Sequence, residues 1–167
     1  MAEKKRLGGR LAVLVLDGLR RALGLPPSYP GDFTDTPEVA YAPRSDGRPD
    51  PGEVVWAHVP FEEDHRRGKD RPVLLIGRDG RWLLGLMLTS QNRRPDPGRK
   101  APRAPRWVEI GTGPWDRSQR PSTVRVDRII RVHPRTVRRE GAILDRARFE
   151  QVAAAVRAAH RTPAARR

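Results

Sequence analysis

Gly68-Lys-Asp-Arg-Pro-Val-Leu-Leu-Ile-Gly-Arg-Asp-Gly-Arg-Trp-Leu-Leu-Gly-Leu-Met-Leu-Thr-Ser90 is the stretch on which the reading of this fold turns. Pro72 to Ile76 is a near-continuous apolar run and reads as a strand buried on both faces. Asp79-Gly80 carries a hairpin signal, and Trp82 to Leu88 supplies the partner strand. Arg71 stands where the first strand begins, and Thr89 and Ser90 stand where the second ends. A fixed cation and two hydroxyls at one sheet rim, in a strongly basic protein, point to phosphodiester chemistry.

Outward from this hairpin the pattern stays β. Glu53 to Val59 reads as a strand, and residues 60–70 form a charged loop. Residues 91–106 are polar and rich in Pro and Arg, a long loop. Trp107 to Ile110, Thr123 to Asp127 and Ile129 to Val132 follow as short strands. Pro134 opens a short helical turn over Arg135 to Glu140, which Gly141 stops. A last helix is expected from Asp145 to His160, with Asp145 as N-cap and Phe149, Val152, Ala153 and Val156 as its apolar stripe. Short strands in meander order with one C-terminal helix predict a mainly β fold, a small, strongly bent SH3-like barrel.

The first fifty residues differ. Leu7, Leu11, Leu14, Val15, Leu19 and Leu23 recur at helical spacing, so an amphipathic helix is expected within residues 1–24, ended by Gly24 and Pro26-Pro27. Residues 25–50 are rich in Pro, Asp and Gly and read as a linker. The expected organisation is therefore helix 1–24, linker 25–50, barrel domain 51–160 and basic tail 161–167.

The net charge is +14 over 167 residues. Residues 1–50 carry 8 Lys/Arg against 7 Asp/Glu, and residues 51–167 carry 26 against 13. The basic excess thus belongs to the β segment, and nucleic acid is the first polyanion to consider. The preponderance of Arg, with abundant Ala, Gly and Pro, is equally the look of a GC-rich genome. There is no cysteine, which excludes disulfides, thiolate nucleophiles and Cys-based zinc sites. The four histidines, at 58, 65, 133 and 160, show no metal-ligand spacing, so neither a metal nor a cofactor is expected. No apolar run is long enough to span a bilayer, and Asp17 cuts short the apolar core from Leu11 to Leu16, so a cytoplasmic protein is expected.

Three motifs, in order, resemble the PemK/MazF toxins of type II toxin–antitoxin systems. They are Pro-Gly-Glu-Val-Val-Trp-Ala-His-Val (51–59), Gly-Lys-Asp-Arg-Pro-Val-Leu-Leu-Ile (68–76) and Leu-Met-Leu-Thr-Ser (86–90). Val126-Asp-Arg-Ile-Ile-Arg-Val132, with Gly141-Ala-Ile-Leu144 and a terminal helix, is similar to the family's closing segment. The resemblance spans roughly residues 51–158. It implies a sequence-specific endoribonuclease that cuts single-stranded RNA, acts as a homodimer and is neutralised by an antitoxin. The helix-plus-linker leader and the long 91–106 segment depart from the family's pattern.

The physical chemistry of the matching residues is consistent with that implication. When a 2′-hydroxyl attacks the adjacent phosphorus, negative charge builds on the equatorial oxygens, and a guanidinium can bind two of them at once. Arg71 is the candidate; the alternative is a rim arginine paired with Asp70 or Glu53. The family motif places a catalytic hydroxyl at Thr89, with Ser90 second; the alternative is a strand-end hydroxyl bonded to the backbone. Glu53 is an orienting acid for Arg71 or simply a charge at the start of a strand. Arg93, Arg94, Arg99, Lys100, Arg103 and Arg106 form a prospective RNA track. Trp115, between Pro114 and Asp116, is the preferred base-stacking residue ahead of Trp82 and Trp107, although Trp in a small barrel is more often core. His65 is the conventional base candidate, the favoured alternative being a solvated loop residue, while Glu62, Glu63 and Asp64 turn their loop away from phosphate. The rival readings are a nucleic-acid-binding barrel that does not cut, and a protein-interaction domain tethered through residues 7–24.

Overall fold

A computed structural model describes residues 15–90, 106–138 and 142–161. The chain forms two compact units, Met1–Pro30 and Gly31–Arg167.

In the first unit, residues 15–22 are helical (α1). Gly24, at φ +67°, ends the helix in the left-handed conformation that glycine tolerates. Asp17 accepts hydrogen bonds from the Ser28 amide and, at 2.7 Å, from its hydroxyl, and so holds the following chain back on the helix. Val15, Leu16, Leu19, Leu23 and Leu25 are exposed. Leu7, Leu11 and Leu14 of the expected apolar stripe lie outside the described residues.

The second unit is built on six antiparallel strands: β1 (Val54–Pro60), β2 (Gly68–Asp79), β3 (Trp82–Thr89), β4 (Trp107–Gly111), β5 (Ser122–Arg125) and β6 (Ile130–Val132). Their hydrogen-bonded order is β1-β2-β3-β5-β4, with β6 also on β3, and the described strands do not close into a ring. The mainly β class with a C-terminal helix is as the sequence predicts.

β2 and β3 form the spine. Leu74 and Ile76 face one cluster with Leu84, Leu86, Leu88 and the C-terminal helix, while Val73 and Leu75 face another with Val55, Ala57, Leu83 and Ile130. The uninterrupted apolar run of β2 is therefore a strand with two buried faces. Asp79 pairs with Trp82, leaving Gly80-Arg81 as the turn. Gly80 has φ +58° and Arg81 an ordinary φ, so glycine occupies the first turn position, as in a type II′ hairpin. A bulge between Leu75 and Gly77 frees the Ile76 carbonyl to accept from the Ala40 amide at 2.8 Å.

Asp145 caps α2 (Arg146–Ala159) by accepting from the Arg148 amide. Phe149, Val152, Ala153 and Val156 are buried, the stripe read from the sequence. The expected helical turn over Arg135 to Glu140 is instead a 3-10 turn, Pro134–Thr136, that starts on Pro134 and stops at extended Val137; residues 139–141 lie outside the described residues.

Residues 31–50 were expected to be a linker, but they pack on this unit. Phe33 bridges to Ile129, Tyr41 donates its hydroxyl to the Leu144 carbonyl at 2.8 Å, and its ring lies 4.9 Å from that of Phe149. The composition signals a lack of regular structure. It does not register the few aromatic anchors that fasten an irregular chain to a sheet.

Candidate active site

The spine opens at one end. β2 and β3 pair from Asp79↔Trp82 back to Val73↔Met87. Beyond that point their partners differ. The first residues of β2 pair with β1, Arg71 opposite Ala57, while the last residues of β3 pair with β5, Thr89 opposite Thr123. Arg71 and Thr89, which the same register would set face to face, instead stand on two diverging arms. A cleft of about 650 Å³ lies there. Asp70, Arg71 and Pro72 line it from β2, and Leu88, Thr89 and Ser90 from the end of β3. Trp56 and Trp115 line it together, the Trp56 indole donating to the Trp115 carbonyl at 3.2 Å. Asp116, Arg117, Ser118 and Arg120 complete it from the β4–β5 loop, with Ser122 at the start of β5.

Arg71 is half-buried. Its guanidinium enters no hydrogen bond or ion pair among the described residues, and the carboxylates that sequence reasoning offered it are engaged elsewhere. Asp70 pairs with Arg138 at 3.2 Å and lies 3.7 Å from His58. Glu53 is buried and accepts from the Arg44 and Asp50 amides. The expectation that Glu53 orients Arg71 is thus corrected: its carboxylate is turned to the chain that precedes β1. Burial raises the pKa of Glu53, and the two amide hydrogen bonds offset that rise only in part.

Thr89 is 6% exposed and its carbonyl accepts from the Thr123 hydroxyl, so the end of β3 is held by β5. Ser90 follows it on the rim, half-buried.

Trp115 is also corrected. It is 2% exposed, part of the main core cluster, and its indole donates to the Ser122 hydroxyl at 3.1 Å. Both its ring and its polar atom are committed to the fold, so it is a structural anchor and not a platform for a base. Trp82 stacks edge-on with His133, and Trp107 is half-buried on edge strand β4. Arg93, Arg94, Arg99, Lys100 and Arg103 lie outside the described residues. Arg106 is exposed, with its amide on Asp127, and does not line the cleft.

Among the described residues no histidine lines the cleft. His65 lies 3.7 Å from Asp32, and His160 is hydrogen-bonded to the Val126 carbonyl. The acidic loop read as turned away from phosphate is bound within the fold. Glu62 pairs with Arg125 at 2.9 Å and Asp64 with Arg66 at 3.0 Å.

In the β4–β5 loop, sequence reasoning singled out Trp115 and passed over the charged residues that follow it. Asp116 is buried and accepts from the Ser118 amide and from Arg120 at 2.9 Å. Burial alone would raise its pKa; those two bonds hold it below the ordinary carboxylate range. The signal was present in Trp-Asp-Arg-Ser-Gln-Arg-Pro (115–121), a polar turn run carrying two arginines behind an aromatic anchor.

Compared with models of protein families, residues 50–160 match the PemK-like, MazF-like toxin of type II toxin–antitoxin systems. The chain belongs to this family. No curated protein gives a significant match. Membership makes the chain a toxin of the type II toxin–antitoxin class, for which an antitoxin is the implied partner. The matched segment contains every described residue of the cleft. Among the described residues no helix is long and apolar enough to cross a membrane.

Proposed function

We propose that this PemK/MazF-family chain is an endoribonuclease that cuts single-stranded RNA by attack of a ribose 2′-hydroxyl on the adjacent phosphorus. The observation that carries the reading is Arg71, without an ion-pair partner among the described residues and sharing one cleft with Thr89 and Ser90. A half-buried guanidinium normally finds a carboxylate within the fold. One kept without it, in a cleft that two hydroxyl residues also line, is suited to an anion that arrives from outside.

In the proposed step the 2′-oxygen–phosphorus bond forms and the phosphorus–5′-oxygen bond breaks. The 2′-proton passes to water and the departing 5′-oxygen takes one up from water, so the products are a 2′,3′-cyclic phosphate and a free 5′-hydroxyl end. The chemistry asks for no metal. Arg71 binds two equatorial oxygens as their charge grows and assists proton transfer. Thr89, with Ser90 beside it, donates to phosphate or to the departing oxygen. A homodimer, acting in the cytoplasm where the transcripts are, completes the proposal.

Purified protein is incubated with a long RNA in EDTA. The expected result is discrete fragments ending in a cyclic phosphate, with cutting lost in Arg71→Ala. Intact RNA, or equal cutting by Arg71→Ala, overturns the reading. Salt-dependent binding without fragments selects the non-cutting nucleic-acid module instead.

A further inference from the structure

The β4–β5 loop is built to hold one side chain out. Its anchor is Trp115, tied through its indole to Ser122 and through its carbonyl to Trp56. Asp116 closes the next turn through the Ser118 amide and fixes Arg120 at 2.9 Å. Gln119 has φ +51°, in the left-handed region that a non-glycine residue rarely adopts. Its side-chain amide bonds the Gly113 and Asp116 carbonyls and holds it there. Of the charged side chains of this run, Arg117 is left over. It is exposed, it lines the cleft, and among the described residues it makes no hydrogen bond or ion pair.

A count of the charges lining the cleft isolates two of them. Asp70 is matched by Arg138 and Asp116 by Arg120. Among the described residues Arg71 and Arg117 are uncompensated, and they stand on different walls, one on β2 and one on the loop. A polymer carrying one negative charge per nucleotide matches two separated cations better than any single anion does.

We propose that Arg117 is a second phosphate subsite, which holds the phosphodiester next to the one at Arg71 and so sets the register of the RNA strand in the cleft. The proposal rests on the endoribonuclease reading for what Arg71 holds, but it is tested by binding and not by cutting. It makes Arg117 a positioning residue. Because it contacts backbone and not a base edge, it adds affinity evenly across sequences.

The probe is a short random-sequence RNA pool that is 2′-O-methylated throughout and so cannot be cut. Its affinity is measured against salt concentration for wild type, Arg117→Ala and Arg117→Lys. Each phosphate contact on a single strand contributes about 0.7 to the slope of log affinity against log salt. Arg117→Ala is expected to bind several-fold more weakly and to lower the slope by about 0.7, with an unchanged melting temperature because the side chain is exposed. Arg117→Lys, which keeps the charge, is expected to restore the slope. An unchanged slope in Arg117→Ala, or no binding of the probe by wild type, overturns the subsite. The two readings fail separately. A protein that cuts natural RNA but shows no slope change loses only the subsite. One that shows the slope change but never cuts loses only the nuclease.

Discussion

Two sets of arginines divide this molecule. On and beside β5 and β6, Arg125, Arg128 and Arg131 are largely buried, and each has a carboxylate. Arg125 pairs with Glu62 and Asp127, Arg128 with Asp32 at 2.7 Å, and Arg131 with Asp79 at 2.8 Å. Burial would lower the pKa of Arg125, but its two carboxylates raise it further than burial lowers it. At the cleft, Arg71 and Arg117 have no such partner among the described residues. The residue type is the same and the net charge of the chain does not distinguish the sets. The difference lies in whether the fold supplies a carboxylate. A guanidinium withdrawn from water needs a counter-charge, and for the first set the fold brings one from as far as Asp32. For the second set, half-buried Arg71 and exposed Arg117, it brings none among the described residues.

Exchanging the two losses is the sharpest way to break this comparison. Arg71→Ala is expected to cut RNA about 10²–10³-fold more slowly with little change in melting temperature. A parallel fall in stability would place Arg71 in the structural set. Arg128→Ala should do the reverse. Its side chain is 7% exposed and also donates to the Pro60 carbonyl. Its removal is expected to lower unfolding free energy by about 3 kcal/mol, read from denaturant midpoints, while the folded fraction keeps its cleavage rate.

Asp50 sharpens the comparison from the acid side. It is buried and takes Arg44 at 3.1 Å and Arg78 at 2.7 Å. Burial would raise its pKa, but these two bonds lower it below the ordinary value. A depressed folded-state pKa means stability present above the unfolded pKa and lost as pH falls through the folded one. Asp50→Asn should therefore cost about 2 kcal/mol at neutral pH, and the deficit should shrink as pH falls below about 4. A deficit of constant size in melting curves across that range would refute the ion-pair account.

The smallest effect belongs to Glu53, with the opposite sign. Burial raises its pKa, so its contribution is largest below the unfolded pKa and declines as pH rises through the folded one. Glu53→Gln keeps an acceptor oxygen without the charge. It should remove that decline, leaving stability at neutral pH within about 1 kcal/mol of wild type. Substantial destabilisation at neutral pH would show that both carboxylate oxygens are needed for the Arg44 and Asp50 amides.

Much of this was legible in the chain itself. Strand periodicity, the Asp79-Gly80 signal, the Asp145 cap and the apolar stripe of α2 are local regularities, so short windows of sequence carry them. The ordered motifs also carried the family and pointed to Arg71 and Thr89, which the fold sets on one cleft. What stayed hidden depends on distant partners. Trp115 reads as an exposed loop residue until Ser122 and Trp56 take its polar groups. Glu53 reads as a companion to Arg71 until two amides from the preceding chain claim it. Residues 31–50 read as a linker until Phe33 and Tyr41 are seen on the sheet.

The sequence by itself thus determined the class of fold, the order of its elements and the chemical types at the β2–β3 rim, because these follow from residue spacing along one strand or helix. The tertiary structure decided which charges are spent and which are left. A carboxylate can neutralise only what the fold brings within a few ångströms of it. Among the described residues, that selection left Arg71 and Arg117 unpaired in the cleft where β2 and β3 diverge.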